Sequence, residues 1–215
     1  MTASTPTVFI VDDDALLCRA LARVLREHGW QTAAYASAED FLRQRDAKVH
    51  GCLVLDVSLP GLDGLALQRR LAQDGPALPI VFLTGHGDIP MSVQAVKAGA
   101  VDFLTKPVSA ESLLAAVRAG VAQDALARRS LSETGALRER FAGLTQRERE
   151  VLAALAAGKL NKQIAGDMNI VEQTVKFHRA RIMERMQAHT VAELMHMVAR
   201  LELARDNPPT ATPRP

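Results

Sequence analysis

The hydrophobic pattern changes period part-way along this chain. Up to about residue 122, short apolar runs alternate with longer amphipathic stretches. Residues 7–11 read Thr-Val-Phe-Ile-Val, a β-branched run long enough for a buried strand and too short for a helix. Residues 15–28 then carry Leu16, Leu17, Ala20, Leu21, Val24 and Leu25 at helical spacing, and Gly29, tolerant of positive φ, stops them. The same cycle recurs: 31–35, then a helix that Ser37 opens with Asp40 three residues on; 52–56, then 64–73; 80–84, then 91–98; and 101–105, then 109–121. Five strands alternating with five helices predict an α/β domain, a parallel sheet with helices on both faces.

Beyond residue 143 the period is helical throughout. Thr145 with Glu148 gives a capping-box signal for a helix that holds Val151, Leu152 and Leu155 and closes at Gly158. Residues 161–168 read as a second, short helix with Ile164 and Ala165 inside; Asn169-Ile170 makes a tight turn, and 172–186 form a third helix. Thr190 with Glu193 repeats the capping signal for a fourth, running to Ala204. Two helices joined by three or four residues are a helix-turn-helix candidate, so an all-α, four-helix domain is expected here. Residues 123–143 carry only Leu126, Leu137 and Phe141 as scattered apolar points, with Gly135 and Gly143 as breaks, and read as a partly helical connector. The expected division is a first domain over 1–122, a helical linker over 123–140, a second domain over 141–205 and a tail over 206–215. That tail holds four of the ten prolines and is expected to be disordered.

Composition narrows the classes. The chain has 215 residues, long for one domain and comfortable for two small ones. Its 48% hydrophobic and 23% charged residues are those of an ordinary globular protein, and no run of 18 apolar residues exists to span a membrane. The first residues lack the basic-then-apolar layout of a signal peptide, so a cytoplasmic location is expected. Cys18 and Cys52 are too few for a disulfide framework or a four-ligand zinc site and read as buried free thiols. The net charge of +2 names no partner, but its distribution is uneven. Residues 1–122 hold 11 Lys/Arg against 13 Asp/Glu, whereas 144–215 hold 11 against 8. An acidic front and a mildly basic back suggest different partners for the two halves.

In open parallel sheets function sits outside the carboxyl ends of the strands. There the sequence sets Asp12, Asp13 and Asp14 after the first strand, Asp56 at the third, Thr84 at the fourth and Lys106-Pro107 after the fifth. A nucleotide site would need glycines after the first strand, to let phosphate reach the backbone. Three carboxylates there repel phosphate and attract a hard cation; Asp12, Asp13 and Asp56 converging on one rim suit Mg²⁺. His86, between two glycines, has no second His or Cys placed to share a metal and reads as a loop residue. Trp30 reads as packing.

The segments Val-Asp-Asp-Asp at 11–14, Leu-Asp-Val-Ser-Leu-Pro-Gly-Leu-Asp-Gly at 55–64, Phe-Leu-Thr-Gly-His-Gly at 82–87 and Asp-Phe-Leu-Thr-Lys-Pro at 102–107 resemble the receiver domain of bacterial response regulators. The resemblance implies a (βα)5 flavodoxin-like fold, with Asp56 accepting a phosphoryl group from a sensor histidine kinase. It implies Mg²⁺ held directly by Asp13, Asp56 and the backbone carbonyl of Ser58, and by Asp12 through water. Thr84 and Lys106 would meet the phosphoryl oxygens, Lys106-Pro107 would be a cis bond, and Phe103 would turn with Thr84 as a switch. Physics agrees on one point: a carboxylate can attack phosphorus only where charge on the equatorial oxygens is neutralised. The resemblance further implies that phosphorylation turns a mainly monomeric protein into a homodimer through about residues 89–105.

In the third helix of the back half, at about 100° per residue, Val175, His178, Ile182 and Met186 share the buried stripe. Gln173, Lys176, Phe177 and Ala180 face the other way, flanked by Arg179 and Arg181. An outward Phe beside a Lys, edged by arginines, suits a surface that reads bases between phosphate clamps. Leu-Thr-Gln-Arg-Glu-Arg-Glu-Val-Leu at 144–152, Asn-Lys-Gln-Ile-Ala at 161–165 and Thr-Val-Lys-Phe-His-Arg-Ala-Arg-Ile at 174–182 resemble the LuxR-type helix-turn-helix, and the whole chain is most similar to the FixJ branch of response regulators. The family implies that Lys162 meets phosphate while Gln173, Thr174, Lys176, Phe177, Arg179, Ala180 and Arg181 face double-stranded promoter DNA. One departure stands out: Val171 occupies a position where the family usually has a Ser or Thr cap, loosening the recognition helix by about 1 kcal/mol.

The expected function is a DNA-binding transcriptional response regulator, an activator with RNA polymerase as a further candidate partner, and no substrate turnover beyond its own phosphorylation. Two other readings compete. A haloacid-dehalogenase-type phosphatase also uses an Asp nucleophile with Mg²⁺, but that family has an acid two residues later, where this chain has Ser58. A constitutive DNA-binding protein whose first domain only dimerises would not need the complete acceptor set.

Overall fold

The computed structural model describes residues 5–46, 49–73, 78–85, 95 and 97–206. The chain divides into two compact units at Arg128/Arg129. In the first, β1 (Thr7–Val11), β2 (Gln31–Tyr35), β3 (Gly51–Asp56), β4 (Ile80–Thr84) and β5 (Asp102–Thr105) all pair in parallel, in the order β2-β1-β3-β4-β5. This is the flavodoxin-like order, whose topological switch point lies between β1 and β3, the strands that end beside Asp12 and at Asp56. β3 and β4 are buried along their whole length, as central strands of a doubly covered sheet must be.

The helices α1 (Ala15–Glu27) and α3 (Gly64–Gln73) begin and end close to the expected limits, and α2 (Ala38–Gln44) begins where Ser37 was expected to open it. Gly29 has φ +85 past the end of α1, and Ser37 accepts the Asp40 N–H at 3.1 Å as the cap of α2. The inward stripe of α1 is Cys18, Leu21, Ala22 and Leu25. Leu16, expected on that stripe, is 71% exposed because helical rotation carries it to the opposite side. One core cluster on one face of the sheet includes Phe9, Leu53, Leu55, Leu67 and Phe82; another includes Val8, Ile10, Leu25, Val54 and Leu113, with Trp30 packed against it. Cys18 and Cys52 are both buried and free; burial pushes the Cys52 thiol up to about 12. The helix expected over 91–98 lies largely outside the described residues, as do His86 and positions 207–215 of the tail.

Sequence pattern understated the next element. A helix was expected over 109–121, with a broken connector after it; instead α4 runs without interruption as Ala110–Ala142, through Gly135. Ser109 caps it, accepting the Ser112 N–H at 3.1 Å. Gly in a helix costs about 1 kcal/mol relative to Ala, which the surrounding Ala, Leu, Arg and Glu residues outweigh. Within the first unit, the buried Asp124 of α4 accepts the Gly51 N–H at 3.0 Å and pairs with Arg128 at 3.0 Å, fastening the helix to the start of β3.

The second unit contains the end of α4 with α5 (Gln146–Ala156), α6 (Asn161–Asp167), α7 (Glu172–Met186) and α8 (Val191–Asp206). Leu137, Leu144, Val151, Leu152, Ile164 and Val175 are among the residues of one core, against which Phe141 also packs. Thr145 and Glu148 form the reciprocal capping box of α5. At α8 the second box is displaced: Thr190 accepts the Glu193 N–H, but the Glu193 carboxylate takes the His189 N–H at 2.8 Å. α8 also continues past Ala204 to Asp206.

Candidate functional site

At the switch point, β1 delivers Asp12 and β3 delivers Asp56, both almost fully buried. Asp13 is exposed beside them, and carboxylate oxygens of all three lie within 4.8 Å of one another. Lys106, just past β5, sets its ammonium 2.6 Å from Asp12 Oδ2 and 3.0 Å from Asp56 Oδ2. Burial alone would lower the Lys106 ammonium, but the two carboxylate partners outweigh it and raise its pKa. Burial pushes Asp12 upward, against the hydrogen bonds from Lys106 and from the Asp14 N–H. An oxygen-rich pocket with one cation and three anions fits a further hard cation. Asp12, Asp13 and Asp56 are the carboxylates that would hold Mg²⁺.

The neighbouring positions fill out the rim. Thr84 ends β4, is 2% exposed, and its carbonyl accepts the Lys106 N–H at 2.7 Å, so the strand ends carrying Thr84 and Lys106 are tied together. Lys106-Pro107 is cis. Phe103 is half-buried with its ring 6.1 Å from that of Phe82, on the same side of β5 as the core. Ser58 is exposed and donates its N–H to Asp56 Oδ1 at 3.3 Å. Gly64 matters here: a Cβ on it would strike the carbonyl oxygen of Asp56, so only glycine lets α3 begin so close to the end of β3. Asp14, grouped with the rim acids by sequence, instead caps α1 by accepting the Leu16 and Leu17 N–H groups at 2.8 and 3.1 Å. An Asp directly before a helical run was signal enough for that cap.

Scanned against family models, the chain matches the response regulator receiver domain over residues 8–118 and the LuxR family of bacterial regulatory proteins over 142–198. It is 40% identical over 202 residues to the response regulator protein TodT of Pseudomonas putida, covering 94% of this chain and 89% of that one. This chain belongs to the two-component transcriptional response regulators. The regulator is also 40% identical to the transcriptional regulatory protein FixJ of Azorhizobium caulinodans, over 92% of this chain and 93% of that one. Among solved structures, response regulator StyR matches with a TM-score of 0.80 at 43% identity, covering 92% of this chain and 100% of that chain.

In the DNA-binding domain of this response regulator, α6 and α7 form the helix-turn-helix, with Asn169 left-handed at φ 51 in the turn. Val175, Ile182 and Met186 are buried and His178 half-buried; Gln173, Lys176, Phe177, Ala180 and Arg181 are exposed on the other side, and Thr174 and Arg179 are half-buried. Lys162 is exposed on α6. Phe177 is 58% exposed, its ring 5.8 Å from the guanidinium carbon of Arg181, which pairs with Glu184 at 3.1 Å. Val171 is 68% exposed at the cap of α7 with no side-chain hydrogen bond. Glu148 is 4% exposed, accepts the Thr145 N–H at 2.8 Å and meets Arg185 of α7 at 3.5 Å; the Thr145 N–H above all holds its carboxyl below the ordinary range. Sequence reasoning gave Glu148 its cap but not its role as a buried tie to α7.

Proposed function

We propose that this response regulator accepts a phosphoryl group from a sensor histidine kinase on Asp56, and that the phosphorylated form dimerises and binds promoter DNA through α7 as a transcriptional activator. The observation that carries this reading is the buried Asp56 carboxylate, 3.0 Å from a lysine that also grips Asp12. An Asp56 oxygen attacks phosphorus of a phosphohistidine whose other ring nitrogen is protonated, the P–N bond breaks, and the imidazole leaves neutral, keeping that proton. Lys106 then exchanges its carboxylate partner for a phosphoryl oxygen, and the Thr84 hydroxyl donates a hydrogen bond to another. Bound Mg²⁺ would supply the remaining neutralisation of phosphoryl charge. Asp13, Asp56 and the Ser58 carbonyl are its proposed direct ligands, with Asp12 acting through water.

Movement of Thr84 toward the phosphoryl group, with Phe103 following, would favour a dimer through about residues 89–105, of which 95 and 97–105 are among the described residues. A switch from 1:99 to 99:1 requires about 5.5 kcal/mol of differential stabilisation. In the proposed complex Lys176 and Phe177 lead base contact, with Gln173, Thr174 and Ala180 lining the same groove, while Lys162 and Arg179 serve phosphates and Arg181, paired with Glu184, lies at the edge of the same face. The protein works in the cytoplasm, turns over no separate substrate, and engages RNA polymerase at the promoter. Among the described residues no helix is long and apolar enough to cross a membrane. Incubation with acetyl phosphate or a phosphorylated kinase tests the acceptor: wild type should be labelled, and Asp56→Asn or chelation of Mg²⁺ should abolish label. Undiminished label on the Asn variant would overturn the assignment.

A further inference from the structure

Several cations on and around the helix-turn-helix of the second unit are already paired, and others are not. Arg147, Lys159, Arg185 and Arg200 each pair with a carboxylate inside the unit, and Arg181 pairs with Glu184 while covering the Phe177 ring. Lys162, Lys176 and Arg179 carry no ion pair among the described residues. Arg179 is nevertheless half-buried and held: its Nη1 donates to Asn161 Oδ1 at 2.7 Å, from α7 across to the first residue of α6. Lys162 follows Asn161 in sequence, and Lys176 lies one turn before Arg179, so these three cations without an ion pair gather where α6 meets α7.

An amide is a particular choice of partner for that arginine. A carboxylate would fix the guanidinium and also neutralise it. The Asn161 oxygen fixes it with one hydrogen bond and leaves its full charge and most of its five N–H donors available. Ordering a long side chain beforehand reduces the entropy lost when it later grips a ligand. We infer that Asn161 is a positioning residue that holds Arg179 ready for a DNA backbone phosphate, and that Arg179, rather than the Glu184-paired Arg181, is the arginine that sets non-specific affinity. The two arginines that flank the recognition face are therefore unequal. This inference rests on the DNA-binding reading of α7.

Full-length protein phosphorylated with acetyl phosphate and a random-sequence DNA duplex provide the test, because phosphate contact needs no operator. Arg179→Ala should reduce the log–log salt slope by about 0.9, the loss of one phosphate contact. Its affinity deficit against wild type should therefore shrink about threefold between 50 and 200 mM salt, whereas Arg181→Ala should change the slope by far less. Asn161→Ala should weaken binding in the wild-type background and have no further effect in an Arg179→Ala background. Asn161→Asp keeps the acceptor but neutralises Arg179, so its slope should fall as far as that of Arg179→Ala. Its melting temperature should not fall, since an acid suits the first turn of α6. Equal effects of Asn161→Ala in both backgrounds, or an undiminished slope in Asn161→Asp, would overturn the inference. Failure of the wild type to bind any duplex would instead overturn the DNA-binding reading.

Discussion

Asp13→Asn should stabilise the receiver when metal is absent. Asp12, Asp13 and Asp56 crowd their oxygens within 4.8 Å, while the Lys106 ammonium is engaged by Asp12 and Asp56. Two unit charges at that separation repel by about 0.9 kcal/mol in a water-like medium and about 3.5 kcal/mol at an effective dielectric of about 20. Asp13 is exposed, so the smaller figure applies to each of its two neighbours, and the nearby ammonium cancels part of the sum. A net gain of about 1 kcal/mol follows, or a rise of about 4 °C in the melting temperature of a domain this size. Asn keeps the volume of Asp, so packing does not enter. The single tryptophan, Trp30, packs against the Val8, Ile10 and Leu25 cluster, and its fluorescence therefore follows the first unit alone. In chelator the variant should melt higher than wild type. In magnesium chloride the order should narrow or reverse, because a ligand that binds the native state raises its stability by mass action and the variant offers one anionic ligand fewer. A lower melting point in chelator, or an equal Mg²⁺ shift in both proteins, would refute the reasoning.

Other expectations concern the DNA-binding domain. Val171→Thr should supply the missing cap of α7 and raise the stability of that unit by about 1 kcal/mol, read from far-ultraviolet circular dichroism on heating; no change would mean the first-turn amides are already satisfied. Glu148 has a folded pKa below its ordinary value, so its stabilisation is complete above that ordinary value and is lost as pH falls through the lower folded one. Glu148→Gln should therefore weaken the unit at neutral pH and flatten its acid unfolding below about pH 4, and parallel acid curves for the two proteins would contradict this. Phe177→Ala and Lys176→Ala should each cost roughly 1–3 kcal/mol at a specific site while sparing a random duplex. Equal loss on both DNAs would show that neither side chain reads a base.

What could be read from sequence follows from which signals are local. The strands 31–35 and 80–84 and the helix 64–73 matched residue for residue, because Gly29 and Ser37, Pro79 and Gly85, and Gly64 mark their edges. The clustering of Asp12, Asp13, Asp56 and Lys106 was legible for a similar reason: each member lies at a strand end, and topology brings strand ends together. The failures share a different cause. Leu16 satisfied an apolar count yet faces outward, since a count ignores angle. Gly135 lowers local helix propensity, but a glycine neither removes a backbone N–H nor clashes, so the neighbours carried α4 through it. Asn161 and Glu148 act through partners eighteen and thirty-seven positions away, Arg179 and Arg185, at separations that no period connects.

The two buried cysteines have a practical consequence. Burial pushes the Cys52 thiol up to about 12, so at pH 7 it stays protonated, and thiolate is the reactive form. Cys18 is also buried and likewise shifted upward, mainly by its burial. The native chain is thus chemically quiet toward maleimides and mild oxidants. A cysteine introduced at an exposed position such as Leu126 or Leu160 would carry a label alone, with no need to remove the natural thiols. Pairs of such positions, one in each unit, would let spectroscopic distances be measured before and after phosphorylation in an otherwise unaltered protein.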